Sequence, residues 1–308
     1  MRFYLFLILL KFIGRLEQTF KRRRPRVYKE RVDPFSIPYH HFKAKYRFNK
    51  STAKKIIGLI KNDIKLSKRG HGTPAELQVM VALRCWGRRE VQDDAGDLHG
   101  LAQPMVSRIC NRVARALARH GMEYRNMLTS LEEQAVIMRD FKAIRNFPGV
   151  IGAIDGTHVK IKKTGGDLAQ YYINRKGFYS LNVQVVCDAQ LKIRDIVSRW
   201  RGSTHDCRIF NESSIKERFE KKEFRGRLLG DSGYQLTHYL FTPLLRTNNE
   251  KEERCNVAHI ATRNTVERCF GVWKQRFRCV LDGMTVSLSN AKTVIVALAV
   301  LHNIVYFY

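Results

Sequence analysis

Acidic side chains are in short supply. The 308 residues hold 28 Asp and Glu against 56 Lys and Arg, a formal net charge of +28. The surplus is spread along the chain: residues 1–150 carry 31 basic and 13 acidic side chains, and residues 151–308 carry 25 and 15. That exceeds what solubility asks for and makes polyanionic nucleic acid the expected partner of both halves. Cys-x-x-Cys pairs are absent, and the seven cysteines (Cys85, Cys110, Cys187, Cys207, Cys255, Cys269 and Cys279) are odd in number and dispersed. This argues against a disulfide framework and a structural zinc site, and points to a reducing compartment, nucleus and cytoplasm. Internal repeats and low-complexity tracts are lacking too; with 44% hydrophobic and 10% aromatic residues, the chain can bury real cores. No membrane partner is expected. The apolar start from Met1 to Leu10 is too short to span a bilayer, is interrupted by Lys11, and is followed by no small-residue cleavage site. An N-terminal helix is expected there. The cluster Lys21-Arg-Arg-Arg-Pro-Arg26 reads equally as a nuclear-localisation signal or a solvated charge run.

Residues 1–50 read as a basic N-terminal arm and residues 51–147 as a helical region. Thr73-Pro74 is a good helix start, with Leu77, Val81 and Ala82 as its apolar face. A second helix is expected from Glu90 to Leu98, with His99-Gly100 as a turn, and a third opens at Pro104. In the third, Val106, Ile109, Val113 and Leu117 form an apolar stripe, while Arg108, Arg112, Arg115 and Arg119 run along another face. Helix, glycine turn and arginine-striped helix form a helix-turn-helix-like, DNA-contacting pattern. An ordinary helical bundle with a solvated basic face gives the same pattern.

From residue 148 to residue 308 the pattern is α/β. Strands are expected at Val150–Ile161, Ser180–Asp188 (alternating) and Ile193–Trp200, the last two forming an antiparallel hairpin. A helix at Ile209–Lys222 and a short strand at Leu228-Leu229 follow, then a polar loop over residues 246–256. A helix with Val266, Phe270, Trp273 and Phe277 inward comes next, and an apolar helix from about Asn290 to Val305 ends the chain. This is the strand and helix order of a ribonuclease-H-like core, a mixed sheet flanked by helices, in which the first and fourth strands are neighbours.

That order brings separated acids together. Asp155 lies in the first strand, Asp231 follows the fourth, and Glu267 lies on the next helix, with 35 residues between the last two. Clustered carboxylates repel one another and are stable together mainly when a cation neutralises them. Hard oxygen ligands without grouped Cys or His favour Mg²⁺ or Mn²⁺, in a two-metal mechanism of phosphodiester cleavage. Gly271, Lys274 and Arg278 share the face of Glu267, so Lys274 and Arg278 are expected to hold phosphates. Alone, Glu267 would read as a surface residue paired with Arg263. Asp206 is a fourth candidate: a helix N-cap, an auxiliary metal ligand, or the second acid in place of Asp231. His158 and His205 read as structural or DNA-contacting residues rather than metal ligands.

The motifs Phe147-Pro-Gly-Val-Ile-Gly-Ala-Ile-Asp-Gly-Thr-His158, Tyr172-Ile-Asn-Arg-Lys-Gly-Phe-Tyr-Ser-Leu-Asn-Val-Gln184, Gly202-Ser-Thr-His-Asp206, Gly230-Asp-Ser-Gly-Tyr-Gln-Leu236, Asn264-Thr-Val-Glu-Arg-Cys-Phe-Gly-Val-Trp-Lys-Gln-Arg-Phe277 and Ala299-Val-Leu-His-Asn303 occur in order. Together they resemble the PIF/Harbinger transposase family of DDE superfamily endonucleases. The resemblance implies a DDE nuclease core at 148–308 behind a helical DNA-contacting region. It implies metal positions at Asp155, Asp206, Asp231 and Glu267, and a Myb/SANT-like companion protein that aids nuclear import and DNA binding. The apolar residues 1–14 and the end at Tyr308 depart from that pattern, as expected of a truncated or alternatively predicted product. The leading expectation is a metal-dependent DNA endonuclease of transposase descent. The alternatives are a domesticated DNA-binding protein that keeps the fold without cleaving, and an RNA-cleaving enzyme.

Overall fold

The computed structural model describes residues 33–65, 72–88, 91–127 and 129–307. The apolar start, the Lys21–Arg26 cluster and Glu90 lie outside the described residues. The described residues from Asp33 on belong to one compact unit.

The segment expected to end a basic arm is built into the core. After a 3₁₀ turn at Pro34–Ser36 capped by Asp33, helix α1 (Tyr39–Tyr46) buries Phe42 and Tyr46, and Phe48 follows them inward. Three aromatic side chains taken out of water outweigh the basic composition that suggested an arm. Asn49 then accepts the Thr52 amide at 2.6 Å and caps α2 (Lys50–Ile64), whose Ile56, Ile57, Ile60 and Ile64 face inward. Helices α3 (Ala75–Arg88), α4 (Gln92–His99) and α5 (Gln103–Arg119) follow in the expected order. Gly100 closes α4 in the left-handed conformation, φ 66°, which a residue without a Cβ adopts without strain. The expected stripe of α5, Val106, Ile109, Val113 and Leu117, is fully buried. Helix α6 (Leu131–Arg145), capped by Ser130, leads to the sheet.

Five strands, β1 (Val150–Lys160), β2 (Ser180–Cys187), β3 (Ile193–Arg201), β4 (Arg227–Leu229) and β5 (Leu240–Phe241), lie in the order β3-β2-β1-β4-β5. The first three pair antiparallel, and β4 and β5 continue parallel to β1. The expected hairpin and the adjacency of the first and fourth strands are both present. β2 differs from its alternating pattern: all eight residues are buried, Ser180, Asn182 and Gln184 included, because this interior strand is covered on both faces.

Three further differences have local causes. The helix expected at 209–222 is two helices, α7 (Asp206–Asn211) and α8 (Ser214–Glu220). The Ser213 hydroxyl donates to the Phe210 carbonyl and accepts the Lys216 amide, ending one helix and starting the next. The polar stretch 246–256 is a loop only as far as Asn249, whose side chain caps α9 (Glu250–Arg276). Glu250, Glu252 and Glu253 in its first turn are favoured by the helix dipole, so the polarity marks a helix start. Finally, α9 stops at Arg276, and α10 (Arg278–Asp282) begins anew after Phe277.

Helix α11 (Leu288–Phe307) is long and apolar enough to cross a membrane by length and composition. Here it is a core helix: it packs on α5 and β3 and buries Val294, Ile295, Leu298 and Leu301. Through it the helical region and the sheet share one hydrophobic cluster, so the change of character at residue 148 marks no boundary between compact units.

Candidate active site

The sheet register sets the site. Ala153 on β1 is level with Leu229 on the parallel β4, and two residues further along each lie Asp155 and Asp231. Asp231 sits in a tight turn, accepting the Gly233 amide on Oδ1 at 2.9 Å. Asp206 comes from the first turn of α7. His205, not Asp206, occupies the N-cap position, so the capping role considered for Asp206 is not the one it has. Its Oδ1 accepts the Asn182 side-chain amide at 2.8 Å, and the carboxylate lies against bare backbone at Gly156, where a Cβ would come within 2.2 Å of Oδ1.

The three aspartates are close enough to feel one another. Burial pushes the Asp155 carboxyl up to about 6; the Gly156 amide and Arg263 pull it down, and Asp231 and Asp206 raise it further. Burial likewise raises Asp206, opposed by the Asn182 bond and reinforced by Asp231. The buried Tyr234 hydroxyl, 3.5 Å from Gln184 Oε1, is raised by burial and then by Asp206, Asp155 and Asp231.

Glu267 is half exposed and paired with Arg263, the arrangement that would make it an ordinary surface glutamate. The same guanidinium, however, donates to Asp155 Oδ2 at 3.1 Å. Arg263 thus links the acid of α9 to the acid of β1. Sequence reasoning noticed Arg263 only as the neighbour of Glu267 and gave no role to Tyr234, Asn182 or Gln184. Tyr234 lies in the motif around Asp231, and Asn182 and Gln184 lie in the motif from Tyr172 to Gln184, which was the available signal.

Of the expected basic residues, Lys274 reaches the site. Its Nζ donates to Thr157 Oγ1 at 2.5 Å, two residues from Asp155, and burial followed by Lys176 lowers its pKa. Arg278 begins α10 rather than extending the face of α9, yet with Lys274 and Gly271 it lines one hollow of about 510 Å³. Arg108, Arg112, Arg115 and Arg119 line a separate hollow of about 400 Å³. There Arg112 donates to Gln78 Oε1 at 2.8 Å and Arg119 pairs with Asp63 at 3.5 Å, so two of the four are partly engaged. His158 shares a hydrogen bond with Ser180 Oγ at 3.1 Å, and burial lowers its pKa; His205 occupies the N-cap position of α7 without a side-chain capping bond.

Among the described residues no group of three or more His, Cys, Asp or Glu side chains is placed so that it could hold a metal ion. The donor chemistry nonetheless fits a hard divalent cation. Buried carboxylates that raise one another's pKa are the groups a cation would relieve, and Gly156 leaves the carboxylate of Asp206 room against the strand.

Residues 154–303 match the family described as DDE superfamily endonuclease. The human and bovine proteins named "Putative nuclease HARBI1" are each 34% identical over 244 residues, covering 77% of this chain and 69% of theirs. An Arabidopsis thaliana protein named "Protein ALP1-like" is 24% identical over 303 residues, covering 91% of this chain and 73% of its own. No solved structure matches.

Proposed function

The chain belongs to the Harbinger group of DDE superfamily endonucleases, and on that premise we propose that it is a metal-dependent DNA endonuclease with Asp155, Asp206, Asp231 and Glu267 as its metal-holding acids. The observation that carries this reading is the approach of Asp155, Asp206 and Asp231 to one another from β1, α7 and the turn after β4, in a chain of net charge +28. Strand order β3-β2-β1-β4-β5 supports a ribonuclease-H-like assignment of the core.

Mg²⁺ or Mn²⁺ bound there would supply an activated water or 3′-hydroxyl and stabilisation of the leaving oxygen. The remaining work falls to the chain itself. Lys274, held at Thr157, presents a cation beside the acids for a phosphate oxygen. Arg263 holds Asp155 and Glu267 in place and is a second donor for a substrate oxygen once either acid is engaged elsewhere. Gly156 keeps the strand surface free for the Asp206 carboxylate. The arginine row of α5 is the expected duplex contact, in a helix-turn-helix-like reading of α3 to α5. A Myb/SANT-like companion and action in the nucleus, with a cytoplasmic pool, complete the proposal.

The test is cleavage of supercoiled plasmid with Mg²⁺ or Mn²⁺, comparing the wild type with Asp155→Asn and Glu267→Gln. Cleavage that needs metal and is lost in both variants is expected. A second reading, a DNA-binding protein that keeps the fold without cutting, is favoured by Arg263, whose charge already compensates Asp155 and Glu267. Salt-sensitive DNA binding that both variants retain, with no metal-dependent cleavage, would identify it.

A further inference from the structure

Arg47 ends α1 in the left-handed conformation at φ 68°, an uncommon place for a residue with a long side chain. It is fixed at both ends of its stem. Its backbone amide donates to the Lys43 carbonyl at 2.9 Å, and its Nε donates to the Gly87 carbonyl at 3.2 Å. Gly87 makes room for it: a Cβ there would stand 2.8 Å from Arg47 Cγ. So anchored, Arg47 lines the hollow of about 510 Å³ with Gly271, Lys274, Gln275, Arg278 and Leu281. That volume is within the ~300–1,000 Å³ of ligand pockets.

Like charges converge on this spot. After burial, the neighbours that lower the Arg47 pKa are Arg88, Arg278 and Arg84, all cationic. Among the described residues no carboxylate pairs with Arg47 or Arg278. Crowded cations of this kind cost free energy in the free protein and become favourable when an anion lies between them. The hollow also starts at the edge of the candidate active site, since Lys274 both lines it and bonds Thr157 on β1. The sequence already pointed to Lys274 and Arg278 as phosphate contacts; the part of Arg47 was not legible, because it lies in a stretch that reads as an arm.

We propose that this hollow is a phosphate site that takes the backbone of the nucleic-acid strand as it runs past the carboxylates, with Arg47 and Arg278 as its fixed cations. A protruding acidic peptide would find the same charge, but a strand already held at the adjacent acids reaches this hollow without a second binding event. The assignment rests on the nucleic-acid reading of the site.

The test is equilibrium binding of full-length protein to a labelled DNA duplex across a salt series, in EDTA so that no cleavage intervenes. Arg47→Gln/Arg278→Gln is compared with Arg225→Gln/Arg246→Gln, which removes two exposed charges elsewhere. The expected result is at least tenfold weaker binding and a salt slope shallower by about 2 for the first pair, at roughly 0.9 per phosphate contact, with little change for the second. Gly271→Glu guards against misfolding, since nothing lies within 4 Å of its added Cβ. It should leave the melting temperature unchanged or higher while weakening duplex binding at least tenfold, and Gly271→Ala should not weaken it. Equal losses for both arginine pairs, or none for Gly271→Glu, overturn the phosphate site while wild-type DNA binding keeps the nuclease reading intact. Loss of polyglutamate binding with duplex affinity retained overturns it in favour of an acidic peptide. A wild type that binds no duplex even at low salt overturns both.

Discussion

Replacing Asp155 by Asn should stabilise the metal-free protein at neutral pH. The carboxyl is pushed from 3.8 to about 6, chiefly by burial, with its side chain only 17% exposed. A shift of that size corresponds to roughly 3 kcal/mol of differential interaction, at about 1.4 kcal/mol per pH unit, and this is a ceiling. The sign follows from the direction. A group whose pKa is higher in the folded state contributes stability that is fully present below its unfolded value near 3.8 and is lost as pH rises through about 6. Wild type in EDTA should therefore lose stability between about pH 4 and pH 6 and stay at the lower level above it. Asn does not ionise and keeps an acceptor for the Gly156 amide, which lies 2.7 Å from Oδ1. Asp155→Asn should thus lack this loss and be more stable at pH 7.5 by up to ~3 kcal/mol, or up to about 6 °C in melting temperature for a unit of this size. Urea unfolding at a series of pH values, in EDTA, measures both. A variant less stable than wild type at pH 7.5, or one with the same loss between pH 4 and 6, would refute the claim that Asp155 is a buried, electrostatically costly acid.

Two further outcomes follow from local geometry. Gly156→Ala puts a Cβ 2.2 Å from Asp206 Oδ1, so the carboxylate must shift and metal-dependent cleavage should fall at least tenfold with the circular dichroism spectrum unchanged; unaltered cleavage would mean that Asp206 is not needed where it lies. Of the seven free cysteines, Cys207 and Cys255 are partly exposed and the other five are buried, so a thiol reagent should modify two per chain in native buffer and seven in denaturant; rapid modification of more than two natively would contradict the packing.

Much of this was legible because strand pairing follows from hydrophobic runs and turns. The runs at Val150, Ser180, Ile193 and Leu228 suffice to bring Asp155 and Asp231 together, since a short strand after a crossover pairs with β1 once β2, itself paired with β3, occupies its other edge. What stayed hidden depended on tertiary contact or on local capping. The first turn of α9 is polar because it is a capped, dipole-matched helix start, while hydrophobic periodicity is blind to a solvated turn. Helix α1 is held by Phe42 and Tyr46 packing into a core that a basic local composition does not announce. Arg278 was assigned to the face of Glu267 by counting helical steps through Phe277, where the helix ends; only the turn into α10 returns Arg278 to the hollow shared with Lys274. The role of Arg263 needed the distance to Asp155, 108 residues away in the chain.

The central claim is that the carboxylates of β1, α7, the β4 turn and α9 hold the cation with which this nuclease cuts DNA. Its most direct test is Mn²⁺ binding to the full-length protein, followed by electron paramagnetic resonance with an uncleaved duplex present, alongside cleavage under the same conditions. Wild type should bind Mn²⁺ and cut, and Asp155→Asn should lose both together. Undiminished Mn²⁺ binding in Asp155→Asn, or cutting by wild type in EDTA with no metal bound, would contradict it.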